Sequence, residues 1–572
     1  MIHTTDNRYA RYVGRVGALA FALGVGVAVG SNTAVATADT GTSTAASAHS
    51  ARHAAKAPAN RSAARPTGTV RATARPAASA TPVRPAQPTG AATVTDALAY
   101  ARREVERVQA SQNAQSVSVL ATPDQLAGER TATRLANSLA VRLSKAVLKV
   151  GWRAAAHKNF AAVGGPDQKN LDQLDQAVDE YATQAAMEVQ LLDSNNPRIF
   201  QQVAPTHSWY GQNFAGSRIW YDNPDTIYRF VGVNTVSSYV ITGKFSGAMP
   251  ADTNFSVLTG LDGTTADNIN GKDLVLNADK TFSITVDSTP TAPGQTNHLY
   301  LPPGATLITT RNTLSDWTTQ DPMSLSIQRL SGPRDSLFSQ FGGFAFPGIG
   351  PLVSGSPLLT RLVSFIPPLP APRLLQSVET AAIMLFLGIK GENQYMGVAT
   401  NDSVTGKQQA PNVLSSPDHN AAFLATQLQS VGYFQLADDE ALVITIDLGK
   451  ARYFSVPVTN DWTITKNYWD EQTSLNVAQS VKNPDGTYTI VVSPTDPGVA
   501  NWVSTGGLNQ GTISIRFQDF DPASDIDPTV SSQVVKLNQL SGLPTVTAQE
   551  RQDQLANRKL GYNKRYSPYP QA

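Results

Sequence analysis

From Asp96 to about Leu192 the apolar positions recur at helical spacing. Leu98, Ala101, Val105 and Val108 share one face of a first segment, and Leu135, Leu139, Leu143, Val147 and Val150 form the stripe of a second. The pattern predicts two amphipathic helices. Arg134, Arg142, Lys145, Lys149 and Arg153 make the second one basic, either as a solvated charged face or as a surface helix that touches a membrane. After Gly164-Gly165-Pro166, the residues Leu171, Leu174, Ala177, Tyr181, Ala185 and Val189 mark a further helix ending near Asp193. Beyond Trp209 the grammar changes to short β-branched and aromatic runs, such as 238–242, 281–286, 441–446 and 487–492, separated by Asn, Asp, Gly and Pro. The chain is therefore expected to be α+β, with a helical region over 95–204 followed by antiparallel β-sandwich units.

The strand phrases occur twice in the same order, which points to duplication. Tyr239-Val240-Ile241-Thr242 answers Leu442-Val443-Ile444-Thr445, and Asn254-Phe255-Ser256-Val257 answers Tyr453-Phe454-Ser455-Val456. Thr309-Thr310-Arg311 likewise answers Ser514-Ile515-Arg516. Two related sandwich units are expected, over 205–335 and 395–522, with a cleft between them as the place for a ligand. The intervening 336–394 holds the apolar, Pro/Gly-rich run from Phe338 to Leu375 and a helix from Leu374 to Leu387. That run is either a lip that enters lipid or closes over an apolar ligand, or a core-filling connection. Residues 523–572 read as a tail with a basic helix carrying Arg551, Arg558, Lys559, Lys564 and Arg565.

Charge adds a location. Arg8, Arg11 and Arg15 precede an apolar run from Val16 to Gly30 and the small residues Ala36-Thr37-Ala38, the pattern of a secretory signal peptide over 1–38 cleaved after Ala38. An uncleaved anchor is the alternative. Residues 39–94 are Ala, Thr, Ser, Pro and Arg with a net charge of +6, too apolar-poor to fold and expected to be a disordered linker. It serves either as a tether or as a contact to anionic envelope polymers or lipid headgroups. Since residues 1–94 carry +8 in a chain whose formal net charge is +1, the remainder carries −7. With no basic stripe interleaved with aromatics there, nucleic acid is not an expected partner. The chain has no cysteine, which excludes disulfides, thiolate metal sites and a thiol nucleophile.

Candidate chemistry is sparse. His157, His207, His298 and His419 show no metal-ligand spacing, and neither a Gly-x-Ser-x-Gly elbow nor a phosphate-cradling loop is present, so no metal or cofactor is expected. Asp438-Asp439-Glu440 is either a calcium or magnesium patch or a solvated turn. One constellation is Trp209-Tyr210 and Trp220-Tyr221 leading into Asn223-Pro224-Asp225-Thr226-Ile227-Tyr228-Arg229. Aromatics beside amides, a carboxylate and a guanidinium suit sugar recognition, with Asn223, Asp225, Tyr228 and Arg229 as ligand-binding candidates. The structural alternative is an Asx turn with Arg229 paired to Asp225, and Asp222 with Asp225 could form a glycosidase pair. The second constellation supplies Asp461, Trp462, Tyr468, Asn476, Gln479, Asn501, Trp502 and Arg516.

This second pattern, above all Asp496-Pro497-Gly498 followed by Asn501-Trp502, resembles the bacterial family filed as domain of unknown function 1214. The Asn223-to-Tyr228 phrase looks like its frequent companion, number 1254, and the export signal, spacer and apolar insert look like an actinobacterial envelope branch. The resemblance covers roughly Asp193 to Gln518 and implies a jelly-roll-like sandwich and an envelope setting, with no reaction and no catalytic residue to carry over. The expected function is therefore binding of a carbohydrate or lipid-like envelope ligand between two sandwiches, with peripheral membrane contact through the 338–375 insert. An envelope glycan hydrolase and a purely structural wall component are the alternatives.

Overall fold

The computed structural model describes residues 119–260, 263–370, 373–419 and 426–566. The expected signal peptide, the linker and the helix over 96–108 lie outside the described residues. Helix α1 (Pro123–Ala136) starts on the Thr122 side chain, which accepts the Gln125 N–H at 3.1 Å, and on a proline in its first turn. After the break at Asn137-Ser138 follows α2 (Leu139–Asn159), and then the short α3 (Gln168–Leu171) and α4 (Leu174–Val189). Helix α4 is buried on nearly every side and forms the middle of a helical layer.

The i, i+4 stripe of α2 is turned the other way from expectation. Leu139, Leu143, Val147 and Val150 face solvent, while Val141, Ser144, Leu148, Trp152, Ala155 and Ala156 are buried. Trp152 decides the orientation. Its ring is sealed in the core, its indole N–H donates to the Gly388 carbonyl at 3.0 Å, and it stacks on Trp462 at 6.4 Å. The small residues beside it let the neighbouring helices approach closely, which outweighs a longer aliphatic row.

The first sandwich follows. Strands β1 (Ile199–Gln202), β4 (Thr226–Gly232), β6 (Asp252–Thr259), β7 (Thr264–Asn270) and β10 (Ala305–Thr313) make a five-stranded sheet in the order β1-β4-β10-β6-β7. Between β1 and β4 a hairpin of β2 (His207–Trp209) and β3 (Gln212–Phe214) stands apart. Strands β5 (Ser238–Lys244), β8 (Thr281–Asp287), β9 (His298–Tyr300) and β11 (Ser324–Ser331) form the opposing sheet in the order β11-β5-β8-β9. Val231, Ile241, Phe255, Val257, Ile284 and Ile308 from both sheets fill the space between. Strand β8 shows why: alternate residues are buried along its length.

The apolar insert forms α5 (Leu337–Gln340), α6 (Ile349–Ser354) and α7 (Pro357–Val363), and leads to the 28-residue α8 (Arg373–Thr400). Helix α8 is long and apolar enough to cross a membrane, yet Met384, Leu387 and Met396 are packed into protein, and the helix lies against α2 and α4.

The second sandwich repeats the first. Strands β12 (Leu428–Gln435), β14 (Ala451–Thr459), β15 (Ser474–Asn476) and β18 (Gln510–Phe520) run in the order β12-β18-β14-β15. Strands β13 (Glu440–Asp447), β16 (Tyr488–Ser493), β17 (Trp502–Ser504) and β19 (Thr529–Lys536) run in the order β17-β16-β13-β19. Apart from β1, which has no counterpart among the described strands, the order matches the first unit, including one parallel pair in each, β8 with β9 and β16 with β17. The last strand, β19, lies beyond the 522 boundary drawn from the sequence. Helix α9 (Ala548–Tyr566) closes the chain, and the arginines it carries at seven-residue spacing, Arg551, Arg558 and Arg565, are buried rather than displayed.

Candidate functional site

The outer faces of the β4-containing and β18-containing sheets meet over the helical layer, and between them lies a cavity of about 150 Å³. Alternation along β4 decides which residues reach it: Tyr228 and Phe230 line the cavity, whereas Arg229 points into the first sandwich. Pairing extends the exposed row across the sheet, from Gln202 through Tyr228 to Arg311. The other wall brings Arg516 and Gln518 from β18, and helix α4 adds Gln184 and Glu188, one turn apart.

The segment between β3 and β4 closes one end. Trp220 and Tyr221 are consecutive left-handed residues, with φ of 46° and 61°. Such backbone is strained and persists where its surroundings hold it. Here the Tyr221 N–H donates to the Thr463 carbonyl at 2.7 Å, its hydroxyl donates to the Tyr395 carbonyl at 2.9 Å, and Trp220 stacks on Tyr395 at 4.8 Å. Gly391 permits that stacking, since a Cβ there would lie 2.5 Å from the Trp220 ring.

Charge is distributed unusually. Arg311 approaches the Ser256 hydroxyl at 3.4 Å and lies 6.0 Å from the centre of the Tyr228 ring. Arg516 donates to the carbonyls of Ser514, at 3.1 Å, and Tyr221. Neither guanidinium forms an ion pair among the described residues. Burial lowers the Arg311 guanidinium from its ordinary range, and Arg516 adds to the effect. Burial also pushes the Glu188 carboxyl up to about 7, against the pull of the Gln184 amide at 3.3 Å. Gln202 Nε2 and Gln518 Oε1 are buried in the same walls without a partner among the described residues, an arrangement that favours a polar ligand.

Arg311 stands opposite Asn254 on β6, and Arg516 opposite Ser455 on β14.

Of the twelve ligand-binding candidates named from the sequence, the cavity takes Tyr228 and Arg516. Asn223 accepts the Asp225 N–H at 3.1 Å in an Asx turn and donates to Tyr453 at 3.1 Å. Both carboxylate oxygens of Asp225 are engaged, by the Trp317 indole at 2.7 Å and the Tyr453 hydroxyl at 2.6 Å. Arg229 is not paired to Asp225: it donates to the Met323 carbonyl at 2.6 Å and to Asn312 at 2.7 Å. Asp461 and Trp462 lie beneath the helices, where Gln510 donates to Asp461 at 2.8 Å and Trp462 donates to the Asn170 carbonyl at 2.6 Å. Tyr468 packs edge-on to Trp317 at 5.9 Å. Asn476 and Gln479 cap a short turn reciprocally. Asn501 is bonded to the Val481 and Thr489 backbone, and Trp502 donates to Ser493 while Arg551 lies 5.0 Å from its ring centre. These residues hold the fold. Around Asp438-Asp439-Glu440, Lys536 reaches Asp439 at 2.9 Å and Glu440 at 3.3 Å.

Gln184, Glu188, Gln202, Arg311, Tyr395 and Gln518 were not among the candidates. One signal for them was present: Gln184 and Glu188 at i, i+4 in a helix whose other faces are alanine-rich and apolar.

Fold and cavity together define an α+β protein of two antiparallel sandwiches joined by a helical layer, with a small polar-aromatic cavity between them. No family model and no curated protein matches the chain. Among solved structures, an uncharacterised protein from Burkholderia cenocepacia is similar with a TM-score of 0.50 at 22% identity, over 72% of this chain and 100% of its own. A protein from Vibrio parahaemolyticus covers 55% of this chain and 90% of its own at 13% identity, with a TM-score of 0.28. The first likeness concerns the fold alone.

Proposed function

We propose that the protein is exported to the cell envelope and binds a small carbohydrate-like ligand bearing an acid group in the cavity between its sandwiches. The observation that carries this reading is the pair Arg311 and Arg516, facing one cavity without an ion pair among the described residues. Guanidinium groups bind carboxylates through charge-assisted, paired hydrogen bonds. The Tyr228 ring and the stacked Trp220–Tyr395 pair offer faces for sugar C–H surfaces, and the amides of Gln184, Gln202 and Gln518 suit hydroxyls. At about 150 Å³ the cavity fits one sugar ring better than a lipid chain. Drug-sized pockets begin at roughly 300 Å³. Export rests on the arginines ahead of the Val16-to-Gly30 run, and kinship with the 1214 and 1254 families on the two quoted phrases. No observation favours a hydrolase, since the oxygens of Asp225 are committed inside the protein.

Thermal melting of the purified chain with hexuronic acids, matched neutral sugars and phospholipid headgroups tests the reading. A hexuronic acid is expected to raise the transition while its neutral counterpart does not. A shift with headgroups alone would reassign the ligand class, and no shift with any compound would leave the structural wall role.

A further inference from the structure

The outward stripe of α2 raises the question of what covers it. Leu139 is 67% exposed and Val150 70%, and Leu143 and Val147 lie between them. Helices α2 and α8 run side by side in the same direction: a Cβ on Gly151 would touch Ile389 at 3.3 Å, and Asn159 donates to Asn393 at 3.1 Å. The exposed Phe386 and Ile389 of α8 therefore continue the α2 stripe. Towards its start α8 exposes Leu374, at 79%, and the preceding insert exposes Leu358, at 76%, and Phe365, at 80%. The insert is not loose. The Leu337 N–H donates to the Ile366 carbonyl at 2.8 Å, and Gln340 exchanges hydrogen bonds of 2.9 and 2.8 Å with the Leu369 backbone. The backbone is thus pinned while its apolar side chains point outward, which soluble monomers rarely sustain over a large area.

The charge around this face is mainly positive, with Asp287 and Asp335 at its edge. Neither 139–159 nor 336–378 contains an Asp or Glu. Arg142, Arg153, Lys158, Arg361, Arg373 and Lys390 are exposed around it. Lys145 and Lys149 turn away to Asp179 and Asp175 on α4. We infer that this face docks on an anionic lipid bilayer, the apolar side chains entering the acyl boundary and the cations meeting the headgroups. A second copy pairing through the same face would bring like-charged rims together, and the +6 linker over 39–94 would be repelled by them.

A local probe tests this in the full chain, where the Val16-to-Gly30 run can itself enter lipid. Phe365→Trp and Val404→Trp are compared with the parent in vesicles of equal parts phosphatidylglycerol and phosphatidylcholine whose acyl chains are brominated. The added Phe365→Trp emission is expected to shift to the blue and to be quenched severalfold, and that of Val404→Trp, on an exposed loop, to stay unquenched. Replacing Arg361 and Arg142 by Gln should weaken vesicle binding about fivefold for each cation removed. Unquenched Phe365→Trp emission in vesicle-bound protein, or equal quenching in pure phosphatidylcholine, would overturn the inference. So would a stable dimer that Phe365→Ser dissociates, because it would give the face to a second copy.

Discussion

Burying a guanidinium without a carboxylate is unfavourable, and the cavity does so from both walls, with Arg311 and Arg516. Their role in binding makes a sharp prediction. Arg311→Gln should reduce affinity for a hexuronic acid at least tenfold in calorimetric titration and leave the melting temperature of the free protein unchanged or higher. Glu188 supplies a proton-linked test. Its carboxyl rises from an ordinary 4.5 to about 7 through burial. Between those values the folded chain holds a proton that the unfolded chain has lost, so stability falls as pH rises across that window. The shift corresponds to roughly 3 kcal/mol. Asp252, also raised to about 7 by burial, acts in the same sense. Denaturant unfolding of Glu188→Gln should therefore show a shallower decline between about pH 4.5 and 7 than the parent and a higher stability at pH 8. An acid ligand should also bind more tightly as pH falls through 7, because the Glu188 charge that opposes it is lost.

At the scale of elements, α9 works as a clamp. Arg551 pairs with Asp496 at 2.9 Å. Arg558 donates to the Ser474 and Glu471 carbonyls, and Arg565 donates to the Pro224 carbonyl at 2.7 Å. Arg558 and Arg565 both lie close to the Trp317 ring, at 4.6 and 4.5 Å. Removing Arg558 leaves buried acceptors unsatisfied, so Arg558→Ala should cost about 2–4 kcal/mol in a melting experiment. Lys559→Ala, which loses an exposed pair to Asp470 and a contact of 5.2 Å with the Tyr562 ring, should cost no more than about 1 kcal/mol. The sequence showed α9 as a basic helix, and the seven-residue spacing of its arginines was the sign that they share a face. Strands were the most legible elements, because residues such as Phe282, Ile284 and Val286 alternate with half-buried neighbours and nothing overrides that period. The face of α2 was misread because one buried tryptophan outweighs four aliphatic residues. The cavity was legible only at Tyr228 and Arg516, since its walls come from positions between Gln184 and Gln518 that only tertiary folding brings together.

Across the whole molecule, Asp225 joins the units by accepting hydrogen bonds from Trp317 of the first and Tyr453 of the second. Asp225→Ala should lower stability by about 2–4 kcal/mol, measured by denaturant unfolding, because two buried donors lose their acceptor. The shared strand order shows that the halves repeat, as their phrases suggested, yet the two units wall the cavity unequally: the first brings Trp220, Tyr228, Phe230 and Arg311, the second Arg516 and Gln518. A cavity between two copies of one fold thereby gains an aromatic side and a polar one, and a sugar ring seated there would have one preferred way round.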